Sequence, residues 1–202
     1  FDEKKKKDIL DTLKSLKEQV LIIIKMSVNS VSFLDRVEDT GMVSRSMAKK
    51  LCMTGVVARA CNLKYDVRVS FPYELYKEIK RDINIETKGG VFERYKLKAC
   101  ELKDAFDFIE KALSYINVDI KREKNEFYLK EGLEAITSVE TVKGELVVYG
   151  LTGKDNKFDR IYFKTPSFTN WTGMSEAVLE EIIPDFPLIN KSFNMSYSEN
   201  DK

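Results

Sequence analysis

From residue 2 to about 27, Ile9, Leu13, Leu16, Val20 and Ile24 recur at spacings of four, three, four and four, so they predict one face of a long helix. Lysines and acids fill the other side, and the lysine run at 4–7 reads as the solvated start of that helix, diluted by Asp2, Glu3 and Asp8. The stretch SVSFLDRVEDTGMV then connects to Ser44, which caps a short helix running to Leu51, with Gly55 ending it. A second long helix is predicted from Leu97, where Leu97, Cys100, Asp104, Phe108, Ala112 and Tyr115 fall at helical spacing. Leu102, Phe106, Ile109, Leu113 and Ile116 widen its apolar face, a width that suits the middle of a bundle.

The polar segment VDIKREKNEFYLKEG reads as a connection, and after it the period changes to two. SVETVKGELVVYGL and KFDRIYFK are β-branched and aromatic runs joined by TGKDNK, a hairpin pattern. Within the second run, Arg160, Tyr162 and Lys164 alternate with Ile161 and Phe163, predicting one wet and one buried face. Pro166 ends that strand, Thr172 or Gly173 opens a last helix through Ala177, Leu179 and Ile182, and Pro184 stops it. The fold class is α+β, mainly α: a helical core over 1–135, a small antiparallel hairpin or sheet over 136–166, and a helix with a tail over 167–202.

Composition narrows the class further. An apolar fraction of 43% supports a packed core, and 34 basic against 33 acidic residues give no case for a nucleic-acid or membrane-surface protein. Cys52, Cys61 and Cys100 stand far apart among apolar residues and read as buried thiols in a reducing compartment. No CxxC pair and no histidine occur, which removes the usual zinc and iron–sulfur ligand sets and histidine acid–base chemistry. No glycine-rich phosphate loop or nucleophile elbow is present, so a nucleotide site or a soluble hydrolase lacks a supporting motif. VLIII at 20–24 is too short to span a bilayer, and FDEKKKK is not a secretory signal. A start in mid-helix suggests a portion cut from a longer protein.

One apolar run carries charges. In GVVARACNLKYDVRVSFPYELY, Arg59, Asp66 and Arg68 must be paired or hydrogen-bonded, because an isolated buried charge is costly. Spacing leaves two readings open: a buried ion-pair clamp, or the polar lining of a cavity.

Four stretches taken in order carry a family likeness: TGVVARACNLKYDVR with PYELY, GGVFERYKLKACELKDAFDFIEKAL, VETVKGELVVYGL, and FKTPSFTNWTGMSEAVLEEIIPDFPLINKSF. Together they resemble the C-terminal half of the large subunit of membrane-bound nickel–iron hydrogenases of the hydrogenase-3 and hydrogenase-4 type, and the homologous 49-kilodalton subunit of respiratory complex I. The resemblance implies a helical large-subunit fold, packed against a small subunit that carries an iron–sulfur cluster. It also implies a place in an NADH dehydrogenase (quinone)-like or hydrogenase-like complex, with this stretch inactive alone. The remaining partners it implies are a 30-kilodalton-type subunit and antiporter-like membrane subunits, with no nucleic acid. The location implied is cytoplasmic, peripheral on the inner face of the cell membrane, and the N-terminal part of the subunit is expected to be missing.

Hydrogenases of this kind hold nickel and iron through two CxxC motifs, whereas complex I members use the vacated cavity for quinone. On that pattern Arg59, Asp66 and Arg68 are expected to line or brace the cavity. Lys143, in VKGEL, falls where hydrogenases place an arginine over the metal, and lysine lacks that planar fork. Ser196 and Glu199 fall on the two positions of the last cysteine pair, and their oxygens do not replace soft bridging thiolates. The expectation is therefore no metal and no cofactor bound by this stretch, a cluster in the partner, and quinone as a possible occupant. The competing expectation is a non-catalytic scaffold joining the iron–sulfur subunit to the membrane arm. The tail DFPLINKSFNMSYSENDK is expected to bury Phe186, Leu188 and Ile189 and to present its polar half at the old metal position.

Overall fold

A computed structural model describes residues 2–116 and 128–200. Its helices are α1 (Glu3–Val28), α2 (Val31–Val37), α3 (Arg45–Lys50), α4 (Gly55–Ala60), α5 (Val67–Ser70), α6 (Val91–Tyr115), α7 (Pro166–Ala177) and α8 (Phe186–Phe193). The strands β1 (Glu134–Thr141), β2 (Gly144–Thr152) and β3 (Phe158–Lys164) form one antiparallel sheet in that order, before the last two helices. The mainly helical α+β class is as the pattern predicts. The polar connection starting at Val118 falls largely outside the described residues.

Several boundaries differ for identifiable reasons. The stretch read as a connection contains α2, whose N-cap Ser30 accepts the Phe33 amide. Gly55 does not end α3, which closes at Leu51; it opens α4. The long second helix begins at Val91, six residues before Leu97, where the Glu93 carboxylate accepts the Gly90 amide at 3.1 Å. SVETVKGELVVYGL is itself a hairpin, turning at Val142 and Lys143 to make β1 and β2. Pro166 sits in the first turn of α7 behind the cap Thr165, so the proline that ends the strand also starts the helix. That helix stops at Ala177, well before Pro184.

The main core gathers Val37, Val43, Ala48, Met53, Val57, Cys61, Val91, Met174, Ile189 and Phe193, so α2, α3, α4, α7, α8 and the start of α6 close on one another. Ile189 is fully buried and Leu188 packs against the core, while Phe186 stays 45% exposed. The two long helices are less enclosed than their wide apolar faces suggest. No residue of α1 is buried, and Leu102 and Ile109 of α6 stay exposed outside the core. The predicted wet and dry faces of β3 are not realised either: β3 is an edge strand, exposed along its whole length. Of the three cysteines only Cys61 is buried, donating to the Val57 carbonyl; Cys100 is half-buried and Cys52 exposed.

Two cations of α6 fasten α8. Arg94, fully buried, donates to the Gly89 carbonyl at 2.7 Å, the Gly41 carbonyl at 2.9 Å and Ser192 Oγ at 2.8 Å, and its guanidinium lies 4.4 Å from the Phe193 ring centre. One turn on, Lys98 Nζ donates to the Ser192 carbonyl at 2.6 Å, using a cation to satisfy a helix C-terminus. Burial, aided by the Arg94 charge, pushes the Lys98 ammonium down to about 8 from 10.5. Between those values the unfolded chain keeps a proton that the folded chain has shed, so the Lys98 contribution to stability rises with pH across that window. We expect the difference in denaturation midpoint between the native chain and Lys98→Met to change between about pH 8 and 10.5 and to level off above it. A difference that stays flat over that range contradicts the assignment.

Candidate functional site

The residues singled out from the sequence assemble into two separate clusters. The first is built on Arg59, in the last turn of the buried helix α4. Its Nη1 donates to Glu140 Oε1 at 3.0 Å and to the Tyr65 carbonyl at 3.1 Å, and lies 3.3 Å from Asp66 Oδ2, while Nη2 bonds Glu101. Asp66 caps α5, accepting the Arg68 amide on Oδ1 and gripping the Arg68 guanidinium at 2.9 and 2.6 Å. Glu140 closes the group from β1, its other oxygen accepting the Val67 amide at 3.2 Å. The side chains of Arg59, Asp66 and Glu140 are only 2, 1 and 1% exposed, so the ions are traded against one another rather than against water.

The electrostatics match that enclosure. Burial would raise the Asp66 carboxyl, but the hydrogen bonds and charge of Arg68, with Arg59 behind it, hold it below the usual carboxylate range. Glu140 goes the other way: desolvation raises it more than Arg59 lowers it, and the Asp66 charge adds to the rise. Arg59, Asp66 and Arg68 do not line the apolar cavity that stands beside Lys143 and Glu199. They are an ion-pair clamp joining α4, α5, α6 and β1.

The second cluster sits at the tail. Gly55 adopts φ +71 and Gly144 φ +134, and a side chain at Gly55 would place its Cβ 2.5 Å from the Gly144 Cα. This contact seats the β1–β2 turn on the start of α4 and fixes Lys143 within it. On the other side, Asn194 ends α8 in the left-handed region and turns the tail back. Ser196 N–H then donates to Ser167 Oγ at 3.0 Å, and the Ser167 hydroxyl bonds Glu199 Oε2. Glu199 Oε1 meets Lys143 Nζ at 2.6 Å, so the two positions picked out at 143 and 199 form an ion pair. Burial pushes the Glu199 carboxyl up, yet its bonds to Lys143 and Ser167 outweigh that and leave it below its ordinary value. The Ser196 hydroxyl pairs with Ser198 at 3.0 Å.

Beside this pair lies a cavity of about 300 Å³, lined by Thr141, Val142, Leu146, Phe163, Thr165 and Pro166, with Lys143 and Glu199 as its charged members. The buried Asn170 braces the same region, accepting the Thr54 amide at 3.0 Å and donating to the Thr54 carbonyl at 3.2 Å. Sequence reasoning missed Glu101, Glu140, Ser167 and Asn170. Of these, only Glu140 left a trace, as an acid on the strand face it shares with Ser138 and Ile136.

A helical body with a small antiparallel sheet is a fold shared with a subunit of a respiratory complex. The chain matches a subunit of the membrane-bound sulfane sulfur reductase, an archaeal respiratory membrane complex, with a TM-score of 0.91 over 99% of its length and 56% of that subunit. At 24% identity this likeness shows the fold alone. The family model for the respiratory-chain NADH dehydrogenase 49 kDa subunit matches residues 1–135 and 119–202, and the chain belongs to that family. Among its relatives is an NADH-quinone oxidoreductase subunit of Sorangium cellulosum, 29% identical over 88% of this chain and 50% of the relative. An NADH-quinone oxidoreductase subunit of Ehrlichia chaffeensis is 24% identical over 96% of this chain and 56% of the relative. The chain thus spans about half the length of these relatives. No helix among the described residues is long and apolar enough to cross a membrane.

The clamp makes a clear demand on stability. Arg59→Met leaves three carboxylates facing each other without their shared cation, and should lower unfolding free energy by about 3–5 kcal/mol in urea titration. A loss under about 1 kcal/mol would mean the cluster is solvated and the clamp is not structural.

Proposed function

We propose that the chain is the part of a 49-kilodalton-type subunit that frames an acceptor cavity beside an iron–sulfur cluster held by a small partner subunit. The complex would be a complex-I-like, membrane-associated oxidoreductase, with the 30-kilodalton-type and antiporter-like membrane subunits as further partners at the inner face of the membrane. Family membership supports the setting. The observation that carries the site is the Lys143–Glu199 pair on the wall of an otherwise apolar cavity.

Such a cavity suits a quinone head group. A planar ring is favoured by Leu146, Val142 and Phe163, and its carbonyl oxygen by the three donors of an ammonium. Glu199 holds Lys143 on the wall, and Ser167 keeps Glu199 in place. The donor set does not suit a thiolate-bridged nickel–iron centre. Oxygen replaces sulfur at both positions, and the Glu199 oxygens are already committed to a lysine and a serine. The scaffold reading draws on the same fact, since the side chains that occupy the position satisfy one another internally.

Photolabelling separates the two readings. A photoreactive azido-quinone irradiated with the assembled complex should attach within the peptides containing Thr141–Leu146 or Phe163–Pro166, and Leu146→Trp, which fills the cavity, should suppress that labelling at least about fivefold. Labelling confined to other segments, or undiminished in Leu146→Trp, would favour the scaffold.

A further inference from the structure

On the other side of β3 from the acceptor cavity, a second concave surface has no part in the proposed chemistry. Phe163 lines the acceptor cavity, and its neighbour Lys164, pointing to the opposite face of the strand, lines a cleft of about 460 Å³ walled by Phe168 and Trp171. The two rings stand three residues apart on α7 and therefore share one helix face. Trp171 is held edge-on to Tyr197, 5.4 Å between ring centres, so its ring is fixed rather than loose. At Cys52 this cleft meets another of about 360 Å³, lined by Arg45, Lys49 and Lys64. The two make one groove with an aromatic end and a basic end.

Charge in this groove is lopsided. Arg45, Lys49, Lys64 and Lys164 face it, and none of the four forms an ion pair among the described residues. Among the described residues the single acid on its walls is Glu145, already accepting from the Tyr65 hydroxyl at 2.9 Å and the Ser138 hydroxyl at 2.6 Å. The whole chain balances 34 basic against 33 acidic residues, so four uncompensated cations around one groove are a local excess and not a reflection of composition. An aromatic pocket joined to a cationic floor is complementary to a peptide with one bulky apolar side chain among carboxylates.

We infer that this groove docks an acidic segment of a partner protein, anchored by an apolar or aromatic side chain between Phe168 and Trp171. The carboxylates on that segment would face Lys49, Lys64 and Lys164. Because the groove lies apart from the acceptor cavity, this holds whether or not a quinone binds there.

Trp171 is the chain's one tryptophan, so its emission reports on the groove directly. The probe is the acetylated peptide amide Asp-Glu-Asp-Phe-Glu-Asp-Glu, titrated into the chain at low and at moderate salt. A saturable change in emission is expected, weakened about tenfold in Lys49→Glu combined with Lys164→Glu and weakened also by added salt. Circular dichroism of that surface double variant confirms that it folds. A peptide of the same length with lysine for every acid should leave the emission unchanged. The inference is overturned by no saturable change, by equal binding of the lysine peptide, or by unaltered affinity in the double variant. It is overturned equally if a single-stranded oligonucleotide or vesicles with anionic lipid displace the acidic peptide at lower concentration, which would make the groove a nucleic-acid or membrane surface.

Discussion

A guanidinium inside helix α4 governs the arrangement of everything around it. Arg59 is 2% exposed, and a charge in that position persists only if carboxylates come to meet it. They arrive from α5 (Asp66), α6 (Glu101) and β1 (Glu140), so one cation draws three elements onto a fourth. Once β1 is drawn in, the turn that follows it must land on the start of α4, where Gly55 and Gly144 leave no room for side chains. The position of Lys143 follows from the buried ion pair through that chain of contacts.

Two charge clusters thus do different work. Around Arg59 the charges satisfy one another, with Arg59, Asp66 and Glu140 almost fully enclosed, which is what a clamp requires. At the tail, the Lys143 and Glu199 side chains are 24 and 30% exposed and stand on a cavity wall, which is what a site requires. Kinship with the 49 kDa subunit family gives the second cluster its interest. There the chain presents a carboxylate to a lysine.

Much of the fold was readable from local pattern. The long helices show in their apolar spacing, the switch to strands in the change of period, and the start of α3 in Ser44 as its cap. Boundaries failed where one residue serves two elements. Gly55 reads as a helix end yet opens the next helix, and Pro166 closes a strand while starting α7. The VKG turn was hidden inside a continuous β-prone run, because a tight turn needs only Gly144 at positive φ. Arg59, Asp66 and Arg68 were legible as charges that had to be paired. Their partners were not: Glu101 and Glu140 lie 42 and 81 residues from Arg59, and no spacing rule connects them. For the same reason the pairing of Lys143 with Glu199, 56 residues apart, emerged only in three dimensions.

The tail pair is proposed to serve an acceptor and not the fold. The most direct measurement is quinone reduction by the assembled complex carrying Lys143→Met, made alongside the thermal midpoint of the same preparation. If Lys143 faces the acceptor, turnover falls at least about tenfold, the scale of one lost charge-assisted hydrogen bond, with the midpoint nearly unchanged, as expected for a partly exposed ion pair. Undiminished turnover, or a loss that merely follows a falling midpoint, would contradict it.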